Sequence, residues 1–363
     1  MEVLACRRNL PADRLPITMQ NPPSISLLIC TANRPHFLDS ALSRLEAGEL
    51  LPDELVVVNG GDDEANRVVE RHSSRYAAAT LIQYPNRNLS TSRNVGLPYC
   101  TGDIVAMTDD DAEVAGDWLW RIRDLHTVNA EAGAVGGAVR GTRSERLLSR
   151  LADRVVFPSF PTRRTVRTLP GVNVSYKRTV VDRVGLFDET LFRGEDVDFN
   201  WRLQTLGYTL IYDPTIQVAH EHRTTVTSLL QQQYMYGRAY VLVRRKWPAM
   251  YCVYPHRLRT RRDCMKLAHC VLAIVYQPAL QMRNLRSPLD VLLGYPLLFS
   301  HHAIWKLGML RQFIGDLGWR SLNTKMHRPV PPEVTLLRQW RDGTVTNSIT
   351  RDGSHQQTLH ASR

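Results

Sequence analysis

Short apolar runs alternating with amphipathic segments restrict this chain more than any other feature. Ser26 to Cys30 reads Ser-Leu-Leu-Ile-Cys and is closed by Thr31, Asn33 and Pro35, which fits a buried strand and a turn. Phe37, Leu38, Ala41, Leu42 and Leu45 then recur at helical spacing, and the helix they predict ends near Gly48. Glu54 to Val58 is a second strand, stopped by Asn59, Gly60 and Gly61. The pattern repeats through a helix around Val68 and Val69, a strand at Ala79 to Gln83, a helix near Ser92 to Cys100, and a strand from Ile104. Strand, helix, strand with short connections requires parallel pairing through a right-handed crossover, and its repetition predicts a doubly wound α/β domain.

The strand from Ile104 stops abruptly in Asp109, Asp110 and Asp111, with no basic residue beside them in sequence. In extended chain, side chains at i and i+2 share a face, so Asp109 and Asp111 can converge on one hard cation, while Asp110 points the other way. Strand ends are where open α/β sheets bind ligands. No Gly-x-Gly-x-x-Gly and no Gly-x-x-x-x-Gly-Lys opens any of the helices, so a nucleotide is held by other means.

Further on, Val135 to Val139 and Gly171 to Tyr176 read as strands separated by a basic stretch around Arg163 and Arg164. Asp196 to Leu206 reads as a helix closed by Gly207, followed by short strands at Tyr208 to Tyr212 and Ile216 to Ala219.

From about Ser24 to Arg245 these pieces, taken in order, resemble the family 2 glycosyltransferases of the GT-A fold. The matching segments are Leu28 to Pro35, Val56 to Asp62, Asn88 to Gly96, and Thr101 to Ile104 running into Asp109-Asp110-Asp111. Gly171-Val172-Asn173, Val184 to Glu189 and Gly194 to Asp198 follow. The resemblance implies a mixed sheet flanked by helices and an inverting transfer from a nucleoside-diphosphate sugar to an acceptor hydroxyl. A diphosphate leaving group gathers negative charge as the glycosidic bond breaks, and Mn2+ or Mg2+ on Asp109 and Asp111 suits that chemistry.

Inversion also needs a base on the opposite face of the sugar. The resemblance assigns that role to Asp196, with Glu195 binding the acceptor. It makes His220 the third metal ligand, with His222 two residues on as an alternative. It places Thr31, Asn33 and Arg34, the end of the second strand at Asn59, and Arg93 around the nucleotide and diphosphate. Asp110 is expected to contact sugar or ribose or to orient its loop, and Asn173 belongs to a donor-sugar or acceptor strand. The chain departs from the family's usual pattern in carrying Asn59 where an acidic residue is usual and Ala32 where an aromatic is common, so Asp62 or Asp63 is a candidate substitute.

The net charge of +11 at first suggests a nucleic-acid binder, but its distribution argues otherwise. Between residues 237 and 320 there are 14 Lys/Arg against Asp263, Asp290 and Asp316, so all of the excess lies in one C-terminal stretch. Leu267 to Leu280 and Pro288 to Leu310 are apolar but interrupted by His269, Gln277, His301, His302 and Lys306. Neither offers about 20 clean apolar residues, which favours an interfacial helical region that attracts anionic lipid over a transmembrane span. This suits an enzyme acting on a lipid-linked or nascent surface glycan. Met1 to Gln20 lack an apolar run, so no secretory signal is expected and the active part is assigned to the cytosol, peripheral to the membrane. The six scattered cysteines read as reduced packing residues.

The expected division is therefore a flexible segment over 1–23, a glycosyltransferase domain over 24–245, a basic helical region over 246–325, and a polar tail over 326–363 that is disordered from Arg341. Two other classes compete. A nucleotidyltransferase of similar fold normally opens with a Gly-rich basic loop, and the loop here contains no glycine. A non-enzymatic binder of anionic surfaces leaves the acidic cluster unexplained, because carboxylates repel phosphates unless a cation intervenes.

Overall fold

A computed structural model describes residues 22–85, 87–143, 146–157, 159–250, 255, 258–282, 288–315, 334 and 336–350. The first half runs β1 (Ile25–Thr31), α1 (Pro35–Glu46), β2 (Glu54–Asn59), α2 (Asp63–His72), β3 (Ala78–Gln83), α3 (Leu89–Gly96), β4 (Ile104–Asp109), β5 (Ala112–Val114), α4 (Trp118–Val128) and β6 (Ala132–Gly141). There follow α5 (Leu147–Val155), β7 (Arg164–Val166), β8 (Val174–Lys177), α6 (Arg178–Val184), α7 (Glu195–Thr205) and β9 (Thr209–His220). Three long helices, α8 (Val226–Lys246), α9 (Arg261–Met282) and α10 (Pro288–Gly315), precede a hairpin of β10 (Leu336–Arg341) and β11 (Thr344–Thr350).

The strands form one mixed sheet in the order β11-β10-β3-β2-β1-β4-β8-β6-β9-β5, with β7 paired to β9. β3, β2, β1 and β4 are parallel, as the βαβ pattern requires, whereas β8 lies antiparallel between β4 and β6. The period-2 alternation of strands divides the core into two layers. Ile25, Leu27 and Ile29 of β1 pack with Leu38 of α1, Val69 of α2 and Trp118 of α4, while Leu28 turns to the other face with Val95 of α3 and Phe199 of α7. This is the expected GT-A type architecture, an α/β mixed sheet flanked by helices with a helical C-terminal region.

Three local expectations change. The two short strands around Asp213 and Pro214 are one strand, β9, whose register against β6 shifts at Gly137/Ala138. Asp213 holds that irregularity by accepting from the Thr215 backbone N–H and hydroxyl and by pairing with Arg163. The polar tail is not without structure from Arg341: β10 and β11 form an antiparallel hairpin added to the β3 edge. Leu337 and Trp340 are its buried residues and face opposite core layers, which leaves no one-faced apolar alternation for a sequence reading to detect. Part of the C-terminal basic charge is internal, since Lys246 is buried between Asp188 and Asp198. The first 21 residues, expected to be flexible, lie outside the described residues, as does the tail beyond 350.

Candidate active site

The carboxyl ends of β1 and β4 open onto a cleft of about 570 Å³ that is walled on its other sides by α3, the start of α7, the end of β9 and the first half of α8. Asp109 ends β4, opposite Cys30 in the β1 ladder. The chain does not stay extended through Asp111, as the alternation argument assumed, but turns at Asp110 and Asp111 into β5. Convergence is nevertheless achieved, because β5 pairs with β9 in a register that sets Ala112 opposite His220, next to Asp111. Asp109, Asp111 and His220 each present a ligand atom within 4.8 Å of the other two.

The charges missing from the local sequence arrive through the fold. Arg34, on the loop after β1, reaches Asp110 at 2.7 Å and Asp111 at 2.6 Å. Arg93, expected near the diphosphate, is almost wholly buried beneath the cleft and lies 2.9 Å from Glu195 and 3.6 Å from Asp109. Glu195 and Asp196 begin α7, whose N-cap Gly194 has φ +80°, a left-handed conformation that a side chain would strain. Asp196 is fixed by the Gly171 and Val197 backbone N–H groups, which donate to its two oxygens at 3.1 and 2.8 Å. The fully buried Asp198 then ties this helix to the end of α8 by accepting from Arg202, Lys246 and the Trp247 indole.

The electrostatics follow from this enclosure. Burial raises the Asp109 carboxyl above its ordinary range despite Arg93, and burial likewise raises Glu195 and Asp196. Burial pushes Asp110 up to about 6, against Arg34 and the Thr31 hydroxyl. Burial also pushes Asp111 upward, but its bonds and charge interactions with His220 and Arg34 outweigh this and hold it at about 2. Asp109, Asp110, Asp111, Glu195 and Asp196 thus share one cleft with Arg34, Arg93 and His220. Two carboxylates and an imidazole are together a donor set able to hold a metal ion. The buried Nδ1 of His220 has no hydrogen-bond partner, a further sign that this ring is not there to complete a structural network.

His222, the alternative ligand, pairs instead with Asp153 at 2.7 Å and stacks on Phe157, whose ring edge also meets His220. Of the expected nucleotide-binding residues, Thr31, Arg34, Arg93 and Asp110 line the cleft. Asp110 is buried and bonded to Thr31 and Arg34, an arrangement that suits the loop-orienting option. Asn33, at φ +56°, accepts from the Asp62 backbone N–H at 3.1 Å, and Asp62 caps α2, so the two loops brace each other beside β1 and β2.

Asn59 and Asn173 are both fully buried, and their amides are engaged within the fold. Asn59 donates to Asp62 O, Asn66 and Gln83 and accepts from the Gly61 N–H. Asn173 accepts from the Trp118 indole at 2.9 Å and donates to the Ala138 and Ile216 carbonyls at 3.0 Å each, linking α4, β6 and β9. Asn173→Ala would strand one buried donor and two acceptors. We expect a loss of about 3 kcal/mol or more of stability, measured as a lowered denaturant midpoint, with little change in turnover per folded molecule.

Sequence reasoning did not find the cleft residues Phe157, Arg193, Gln232 and Tyr236. Arg193 sits beside the Glu195 motif and packs on the Tyr236 ring 5.3 Å away, a partnership between segments that no local pattern encodes.

Residues 26–184 match the family described as glycosyl transferase family 2. The pre-mycofactocin glycosyltransferase of Mycobacterium tuberculosis is 35% identical over 166 residues, covering 43% of this chain and 35% of the relative. The chain therefore spans only about a third of that relative's length. The glucosyl-dolichyl phosphate glucuronosyltransferase of Haloferax volcanii is 28% identical over 234 residues, covering 59% of this chain and 75% of the relative. Among solved structures, a mannosyltransferase from Pyrobaculum calidifontis in complex with GDP-Man and Mn2+ superposes with a TM-score of 0.58 at 18% identity. It covers 84% of this chain and 90% of that one, a likeness of fold.

Proposed function

We propose, from the match of residues 26–184 to the glycosyl transferase family 2, that the protein is an inverting, divalent-metal-dependent glycosyltransferase moving a sugar from a nucleoside-diphosphate donor to an acceptor hydroxyl. The observation that carries this reading is the meeting, around Arg93, of the Asp109–Asp111–His220 triad with the Glu195–Asp196 pair.

Asp109, Asp111 and His220 would hold the cation. When bound, a divalent cation supplies Lewis-acid stabilisation of the diphosphate. Arg93 neutralises charge between the two acidic groups and keeps Glu195 oriented toward the acceptor side. Asp196 takes the proton from the attacking hydroxyl; its raised pKa makes it a stronger base than an exposed aspartate once ionised. Arg34 bonds Asp110 and Asp111 together and so fixes the spacing of the turn that presents the metal ligands.

The acceptor we assign is a glycan or lipid-linked glycan of cell-surface polysaccharide or glycolipid synthesis, met at the cytoplasmic face of the membrane. The Haloferax relative, named for action on glucosyl-dolichyl phosphate, supports a lipid-linked acceptor. Screening UDP-, GDP- and dTDP-sugars for hydrolysis with and without Mn2+ tests the reaction. Cleavage of one donor, only with the ion, is expected; silence with every donor in the presence of Mn2+ and a lipid-linked acceptor preparation would overturn it.

A further inference from the structure

The C-terminal helices bury one side and leave the other bare. α10 packs along α8 and α9. Its approach to α8 is close: a Cβ on Gly237 would meet the Trp305 carbonyl oxygen at 1.8 Å, and one on Gly308 would meet that of Tyr234 at 2.1 Å. α8 is the helix that carries Gln232 and Tyr236 into the cleft, so α10 is locked to a wall of the candidate active site.

On the opposite side, α9 exposes Met265, Val271, Leu272, Val275, Tyr276 and Leu280, with Met265 at 72% and Leu272 at 65%. At 1.5 Å per residue that face runs for about 24 Å. The exposed positions of α9 from Met265 to Leu280 carry no Lys, Arg, Asp or Glu, and the one such residue of that stretch, Lys266, is half-buried. α10 exposes Leu292, Phe299, Leu307, Leu310 and Ile314, which recur on one face, and Arg311 is the one exposed charge on that helix among the described residues. Apolar exposure of this extent on two helices that pack against each other exceeds the scattered exposed hydrophobics of an ordinary surface.

The rim is charged with one sign. Arg259, Arg261 and Arg262 are exposed at the start of α9. The two acidic residues of these helices are both engaged, Asp263 buried and accepting from the Arg259 and Thr260 N–H groups, Asp290 paired with Arg150. A second copy of the chain docking by the same face would bring like charges together, whereas an anionic lipid surface supplies the opposite charge. Neither helix is long and apolar enough to cross a membrane.

We infer that the outward face of α9 and α10 seats on an anionic bilayer, lying in the head-group region with the arginine rim on the lipid phosphates. Through the α8–α10 contact this docking holds the cleft at a fixed height above the surface, where a lipid-linked acceptor presents its sugar. The docking surface stands on its own observations; its role in acceptor delivery rests on the reaction proposed above.

Co-sedimentation of the full chain with phosphatidylcholine vesicles, with and without phosphatidylglycerol, tests the docking. Binding is expected to the anionic vesicles and to weaken with salt. Leu272→Asp with Leu292→Asp, both at exposed positions, should abolish it without moving the thermal midpoint. Each of Arg259→Ser, Arg261→Ser and Arg262→Ser should weaken it by roughly fivefold, the equivalent of about 1 kcal/mol per basic residue. Absence of binding by the intact chain, or equal binding by the double Asp variant, overturns the inference. So would a dimer that the double variant dissociates while vesicles are ignored, which would identify a second copy as the occupant. Metal-dependent hydrolysis of a soluble donor, measured without vesicles, separates the two readings: its loss in the intact protein counts against the reaction, and its retention in the double Asp variant leaves the lipid surface alone under test.

Discussion

Asp196→Asn is expected to lower sugar transfer by about 10²- to 10⁴-fold, the range supplied by a positioned general base, while donor affinity stays within a small factor of the parent. The substitution is nearly isosteric and leaves the metal triad and Arg34 untouched. An amide in place of the carboxylate keeps an acceptor for one of the Gly171 and Val197 N–H groups and turns its own donor toward the other, so some loop adjustment is expected without loss of the fold. Isothermal titration with the nucleotide and single-turnover transfer would separate the two effects. A pH profile adds a second signature. Burial raises the Asp196 pKa, and only its ionised form accepts a proton. Transfer in the parent should therefore fall as the medium is acidified through a pKa above the ordinary aspartate range, and the residual rate of the variant should lose the Asp196 part of that limb while keeping the part set by Asp109 and Glu195, whose carboxyls burial also raises. Normal turnover in Asp196→Asn would remove this residue from the chemistry.

The parts of the molecule that sequence made legible are those where neighbours in the chain are also neighbours in space. The parallel half of the sheet could be read because β1, β2, β3 and β4 are nearly continuous apolar runs buried on both faces, the first three each followed by its own helix. The acidic turn could be read because Asp109 and Asp111 lie at the end of such a run. Arg34 and Arg93 illustrate the converse. Both lie far along the chain from the acids they neutralise, and the pairing exists only because β1 lies beside β4 and α3 leads into β4. A cluster that reads as unneutralised in sequence is therefore partly compensated in the fold, by two guanidinium groups set at its two ends.

Asn59 and Asn173 mark a different limit. Each stands at a strand terminus in a segment that matches a glycosyltransferase motif, where a polar residue can serve either a ligand or the backbone of a neighbouring strand. Their bonds to Asn66, Gln83, Trp118 and Ile216 show that both amides brace the scaffold beneath the cleft. Motif position alone does not separate these uses, because both require the same hydrogen-bonding groups at the same strand end. Burial separates them: a side chain wholly enclosed and fully partnered has nothing left to offer a nucleotide.

The metal triad should be the most sensitive feature after the base, and its three members should not fail alike. Asp111→Ala removes a proposed metal ligand and also frees Arg34 and His220, its two partners at 2.6 and 3.3 Å. Manganese-stimulated turnover is expected to fall by two orders of magnitude or more, about 3 kcal/mol of lost charge stabilisation on the scale seen when one preorganised electrostatic group is removed. Chelation with EDTA should have the same result in the parent, with recovery on adding Mn2+. His220→Ala should instead raise the concentration of Mn2+ needed for half-stimulation while leaving a measurable rate at saturation, because both carboxylates remain. His222→Ala is the control: its imidazole is committed to Asp153, so stability should drop while the metal titration per folded enzyme stays put. If EDTA-treated protein turns over as fast as the metal-loaded form, or if His222 and His220 exchange roles in this series, the triad assigned from the geometry is wrong.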